Sequence, residues 1–265
     1  MAYFTIDVSP DIVAGDVSNI QQANKSHEDV GAGDLIFDWT EINVPSGGLL
    51  LHSVTAIVNA EDGAYGSGSL TDYTLIFAKS VNGVAPTTMG AVNAAQTACF
   101  DLKDHYVGSL KLKSTAGTGT ISGPAFHVVY HGNDNSDTGG GLPMVLQADS
   151  DDRIADRHAK SKLYVCGFQT AARGYQTGVI VNGAITSDTA TQITVDGVEA
   201  TKIFSVGDTV YLHDVDTALG TVKSLTDTVI TLNAAIAGGT NLDDDDELIN
   251  ANPIKIKLGF EKNNL

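Results

Sequence analysis

Cysteine is nearly missing from this chain. Its 265 residues include two, Cys99 and Cys166, too few for the disulfide framework of a small secreted scaffold. Both are expected as buried thiols that pack like small hydrophobes. Aromatic residues are also sparse, at 6% with a single tryptophan. That scarcity argues against a sugar-stacking cleft, and so against a secreted-type carbohydrate enzyme. No long apolar run occurs. The longest, 47–57, is broken by His52, Ser53 and Thr55, whereas a bilayer span needs about 20 apolar residues. The opening residues, Met1 to Asp7, carry neither the basic region nor the apolar stretch of a secretory leader. A chain made in a cytosol, and soluble there, is the expectation. Positive charge is short too: 15 basic residues face 32 acidic ones, for a net charge of −17. Such a field repels free nucleic acid, whose binding needs Lys and Arg on phosphates, and disfavours an anionic membrane surface. It favours solubility and suits docking on a basic protein surface.

Chemistry-bearing motifs are absent as well. The densest acidic run, Asp243-Asp244-Asp245-Asp246-Glu247, offers oxygen ligands but lacks the alternating acids, central glycine and terminal glutamate of an EF-hand. It reads as a solvated loop over 241–247, as do Asp149-Ser150-Asp151-Asp152 and Asp134-Asn135-Ser136-Asp137. The seven histidines are His27, His52, His105, His127, His131, His158 and His213. His127 and His131 would share a strand face about 13 Å apart, too far for one ion, and no His-Glu-x-x-His or Cys-x-x-Cys occurs. Gly66-Ser67-Gly68-Ser69 is a glycine-rich loop, not a nucleophile elbow. Gly139-Gly140-Gly141 lacks the Lys-Ser/Thr ending of a phosphate loop. No catalytic, cofactor-binding or metal-binding residue is therefore assigned, and no enzyme is expected.

What the chain does contain is one pattern, repeated: short β-type runs separated by Gly, Asn, Asp and Ser. Residues 1–34 read as an N-terminal arm. Phe4, Ile6 and Val8 alternate there and could add one strand to a sheet, ahead of Pro10 and a polar stretch over 19–33. The arm is expected to be ordered by a neighbour. Residues 35–172 read as an antiparallel β-sandwich, jelly-roll-like, with strands over 35–44, 49–58, 72–81, 105–113, 120–131 and 162–171. In the first of these, Leu35, Phe37 and Trp39 fall at every second position, then Ile42 and Val44 after Thr40. A short helix is expected over 149–160, where acids come early and Arg157, His158 and Lys160 late. Residues 92–98 suit a short helix or a loop. Residues 173–265 read as a second, smaller β-barrel domain. Its strands are expected over 177–185, 191–195, 209–212, 219–225 and 228–232, with 253–260 closing it. The fold class is all-β.

One segment carries a resemblance. Val206-Gly207-Asp208-Thr209-Val210-Tyr211, followed by Gly220-Thr221-Val222-Lys223-Ser224-Leu225-Thr226-Asp227-Thr228-Val229-Ile230-Thr231-Leu232, resembles β-modules of tailed-bacteriophage virion proteins. A Gly-Asp turn feeding such a strand recurs in small barrels of the SH3 or OB type. The likeness covers about 30 residues and is similar in kind to capsid decoration (cement), head-fibre and baseplate-associated proteins. It implies a non-enzymatic structural protein of a virion, assembled in the host cytoplasm. Its partners would be the major capsid protein or other virion proteins, and it would form a homo-oligomer, with a trimer favoured. The alternative in the same group is a tail or baseplate component that binds a receptor or glycan.

Overall fold

β-branched and aromatic runs between turn residues each bury one face, so they form sheets. The computed structural model describes residues 2–12, 30–59, 71–94, 101–113, 119–120, 127–131, 141–149, 160–171, 178–186, 189–213, 217–236 and 240–262. Among these lie sixteen strands and two very short helices. Every strand pair is antiparallel.

A six-stranded sheet runs in the order β1 (Ala2–Val8), β16 (Ile254–Lys262), β3 (Gly48–Asn59), β7 (His127–His131) and β6 (Gly119–Thr120). Its sixth strand, β8 (Met144–Gln147), pairs with the first residues of β3. A four-stranded sheet orders β2 (Leu35–Pro45), β9 (Lys160–Gln169), β4 (Tyr73–Lys79) and β5 (Tyr106–Leu112). The helix α1 (Leu102–His105) leads directly into β5. One apolar cluster draws on both sheets. Leu51 and Val54 of β3 and Leu258 and Phe260 of β16 are buried together with Phe37 of β2, Phe77 of β4 and Val165 of β9.

β2 departs from plain alternation. Phe37 and Ile42 both enter that shared core, although an odd spacing in an unbroken strand puts side chains on opposite faces. Register shifts between Leu35 and Phe37 and between Phe37 and Thr40 change the parity. Leu35 and Trp39 go to a second cluster with Met89, Cys166 and Phe168, so the expected single face of Leu35, Phe37 and Trp39 is split. Opposite Phe37 stands Gly167. A Cβ built on Gly167 would lie 2.4 Å from Cε1 of Phe37 and 2.7 Å from its Cζ. The ring is fully buried and has nowhere to go. Gly167→Ala should therefore cost about 1–3 kcal/mol by overpacking. Chemical denaturation should read this loss, and Phe37→Leu in the same chain should recover part of it.

The remaining strands close on themselves. β10 (Val179–Val181), β11 (Gln192–Asp196), β14 (Val229–Leu232), β13 (Thr217–Leu225), β12 (Thr209–Leu212) and β15 (Glu247–Asn250) form a closed six-stranded barrel in that order. The helix α2 (Ala200–Ile203) follows β11 in sequence. Val181, Ile193, Val210, Val222, Ile230 and Leu248 fill the barrel. β15 alternates between two cores: Leu248 faces the barrel interior, while Ile249 is buried in the cluster shared by the two sheets.

The chain ends depart from the expected division. The strand expected over 253–260 to close the barrel pairs instead with β1 on one side and β3 on the other. The barrel has no open edge to receive it, because β10 and β15 pair through Val179 and Leu248. Likewise the first strand of the expected arm joins its own chain, from Ala2 opposite Lys262 to Val8 opposite Ile256. An expected boundary at 34 and another at 172 put β1 and β16 in different units, yet they are neighbours. The barrel is an insert between β9 and β16. The helix expected over 149–160 lies outside the described residues apart from its ends, as does most of the polar stretch 19–33.

Candidate functional site

The barrel meets the two sheets through a chain of polar side chains that begins in the quoted Gly-Asp turn. Gly207 takes φ +96°, the left-handed region that glycine alone enters cheaply. The Asp208 carboxylate accepts the backbone N–H of Ser205 at 2.8 Å, closing the turn. The Asn250 amide donates to the same oxygen at 2.8 Å and to the carbonyl of Ile203 at 2.8 Å. Its own oxygen accepts the Asn252 N–H at 2.7 Å. Asn252 then accepts the Thr209 N–H at 2.8 Å and donates to the carbonyl of Pro10 at 3.1 Å. Beside it, the Ile12 N–H bonds the Ala251 carbonyl at 2.9 Å. The turn, the last barrel strand and the segment after β1 are thus held together by amides.

Burial raises the Asp208 carboxyl above its ordinary value of 3.8, while the Ser205 N–H, the Asn250 amide and the charge of Lys255 act in the opposite direction. A carboxyl with a raised folded value binds its proton more tightly in the folded than in the unfolded chain. Its contribution is fully present below the unfolded value and is lost as pH rises through the folded one. Asp208→Asn keeps an accepting oxygen for both donors and cannot ionise. Its stability relative to wild type should therefore climb from about pH 4 towards neutrality. Asn250→Ala should instead cost about 1–3 kcal/mol, since it strips buried acceptors of their donor. Urea titrations across that pH range read both effects. Parallel wild-type and Asp208→Asn profiles would refute the first.

Two further clusters look like fragments of catalytic machinery. On the outer face of the larger sheet, Nε2 of His52 lies 2.5 Å from Oε2 of Glu261, a carboxylate only 8% exposed. The Tyr3 ring lies 6.1 Å from the imidazole, centre to centre. A carboxylate-held imidazole is half of a nucleophile-activating set, but among the described residues no hydroxyl or thiol bonds the ring. Beside α1, Asp101 Oδ2 accepts the Thr87 hydroxyl at 2.5 Å and lies 3.5 Å from Nε2 of buried His105. Nδ1 of His105 donates to the Lys79 carbonyl at 2.7 Å. Here the hydroxyl meets the carboxylate and not the imidazole, which is not the hydroxyl–imidazole–carboxylate order of a triad. The spacing of Asp101 and His105, one helical turn apart, was the sequence signal that could have found this pair.

The acidic run holds backbone, both its own and that of Gly183. Asp246 accepts the Asp243 N–H at 2.7 Å, Asp244 accepts the Gly183 N–H at 2.6 Å, and Asp245 takes φ +71°. Glu247 is the first residue of β15. Among the described residues no group of three or more His, Cys, Asp or Glu is placed to hold a metal. His127 and His131 lie on β7 opposite Asn59 and Thr55. Cys166 is buried, and His213 is buried 3.8 Å from Glu247. His27, His158, Cys99, Asp134 to Asp137 and Gly66 to Ser69 lie outside the described residues.

Two clefts remain. One of about 470 Å³ is lined by Ala32, Thr74, Ile76, Phe168 and Gln169 beside the four-stranded sheet. Another of about 280 Å³ on the barrel is lined by Asp196, Glu199 and Asp227 among others. Neither is lined by a histidine, cysteine or serine; the first offers the Gln169 amide and threonine hydroxyls, the second three carboxylates. Comparison with protein-family models, curated proteins and solved structures gives no match to this chain.

Proposed function

We propose that this chain is a non-enzymatic structural protein of a bacteriophage virion, a capsid decoration or cement protein that seats on the capsid surface and stabilises the particle. The observation that carries the reading is the insertion of a closed barrel between β9 and β16 of a two-sheet body. A bridging protein needs two stiff modules, and here both are built from antiparallel strands, with the junction amides tying one to the other. In finer terms, the body is a jelly-roll-like sandwich and the barrel is of the SH3 or OB type. The polar side chains at the junction, beside α1 and in the acidic turn hold backbone in place. The excess of acid suits a basic patch on a capsid protein. The protein works as a homo-oligomer with virion proteins as partners.

The test adds purified protein to capsid shells stripped of minor proteins and images the sedimented particles. Regular density on the shell, with greater resistance of the shell to heat, is the expected result. Protein that stays in the supernatant of both shells and tails would end the proposal. The cleft beside Phe168 favours a second reading, a tail or baseplate component with receptor or glycan binding, and density on tails alone would select it.

A further inference from the structure

β1 ends the larger sheet. Among the described residues it pairs with β16 and with no other strand. Its free edge therefore presents backbone N–H and C=O groups that can pair with another chain, and sheets usually guard such edges with Lys, Pro, bulges or short length. Among the described residues the other open edges are short or guarded. β8, which pairs only with β3, is four residues long. β6 is two residues long. β2 has two register shifts and ends at Pro45. β5 carries Lys111 and a register shift opposite Ala78. The barrel, being closed, has no edge.

β1 has none of these devices. It is seven residues long, AYFTIDV, and its register with β16 is unbroken. Its one charge, Asp7, is paired with Lys257 at 2.9 Å and Lys255 at 3.7 Å. Phe4 and Ile6 pack against the core but are only partly buried, and Tyr3 is 71% exposed.

We propose that β1 pairs with the β1 strand of a second copy, antiparallel about a twofold axis through Thr5, so that two six-stranded sheets become one. The edge is complementary to itself. Pairing about Thr5 sets Phe4 against the partner's Ile6 on the core-facing side, which completes the cover of both. On the outer side Tyr3 meets the partner's Asp7, and no like charges face each other. Charge also favours this edge in a chain of net −17. Lys255, Lys257 and Lys262 of β16 lie beside it and outnumber Asp7 and Glu261 of the same two strands, so the local charge opposes the repulsion between copies. A twofold contact of this kind closes at two subunits, where the virion resemblance implies three. The inference concerns the free protein and does not rest on the virion reading.

Light scattering after size exclusion, on the full chain, tests it. Thr5 is exposed, so changing it leaves the core alone. Wild type should be a dimer. Thr5→Lys puts two ammonium groups face to face on the axis and Thr5→Asp puts two carboxylates there, so each variant alone should be monomeric with an unchanged circular dichroism spectrum. An equal mixture of the two should return to dimers holding one of each, resolved by native mass spectrometry. As a second measurement, β1 amides of wild type should exchange faster with solvent on dilution. A monomeric or trimeric wild type, variants that remain dimers, a mixture that fails to pair, or β1 exchange that ignores concentration would each overturn the proposal.

Discussion

Ending the chain after Ala251 should unfold the two sheets and leave the barrel standing. β16 buries Ile254, Ile256, Leu258 and Phe260 in the shared core. At about 1.5–3 kcal/mol for each large apolar side chain, their loss is comparable to the roughly 5–15 kcal/mol that holds a whole domain. β1 would lose its partner as well, and β3 one whole edge. The barrel is complete by then. Its last strand ends at Asn250, already paired with Val210, and Leu248 already closes the ring against Val179. Methyl resonances of Val181, Ile193 and Ile230 should stay dispersed in the truncated chain, while those of Leu75, Leu258-facing Val54 and Val165 collapse. Exposure of Ile249 makes the truncated chain sticky, and Ile249→Ser should relieve that. Loss of both sets of signals, or survival of both, would contradict the insert arrangement.

Phe260→Ala should cost about 3–5 kcal/mol, the range for a large aromatic removed from a core. Phe260 is 1% exposed on the strand that bridges β1 and β3. Its ring stacks on Phe4 at 5.4 Å with the planes 22° apart. Phe4 is only partly buried, so Phe4→Ala should cost less. The double variant should reveal a coupling of about 0.5–1.5 kcal/mol for the ring pair. The shift of the urea midpoint at constant slope measures all three. A cost below about 1 kcal/mol for Phe260→Ala would mean that β16 contributes little to the core.

Strands were legible wherever the apolar pattern had period two. Tyr73, Leu75 and Phe77 lie buried on β4 as their alternation demands, and the alternation of Phe4, Ile6 and Val8 did mark a strand. Short elements were missed for want of signal. β8 follows a Leu142-Pro143 pair and has one buried residue, Leu146. β15 emerges from the acidic run with no alternation, because its residues serve two cores. α2 is four residues long and lacks a capping side chain. At the junction, the Val206-Gly207-Asp208 turn could be seen, but its partners Asn250 and Asn252 lie more than forty positions away. Neither asparagine carries any local mark.

The amino-acid sequence by itself determined that this is an all-β chain, because local alternation and turn residues mark strands whatever their partners. It also determined the strong acidity, which is a sum over side chains. The tertiary structure alone decided which strands pair. Ile254 to Phe260 alternate equally well for a barrel or for an open sheet, and their apolar faces favour both. The choice fell to closure: once β10 and β15 meet, the barrel has no edge left, whereas β1 and β3 each offer β16 one. A strand follows its hydrogen-bond partners, and a sequence pattern of period two names a face without naming a neighbour.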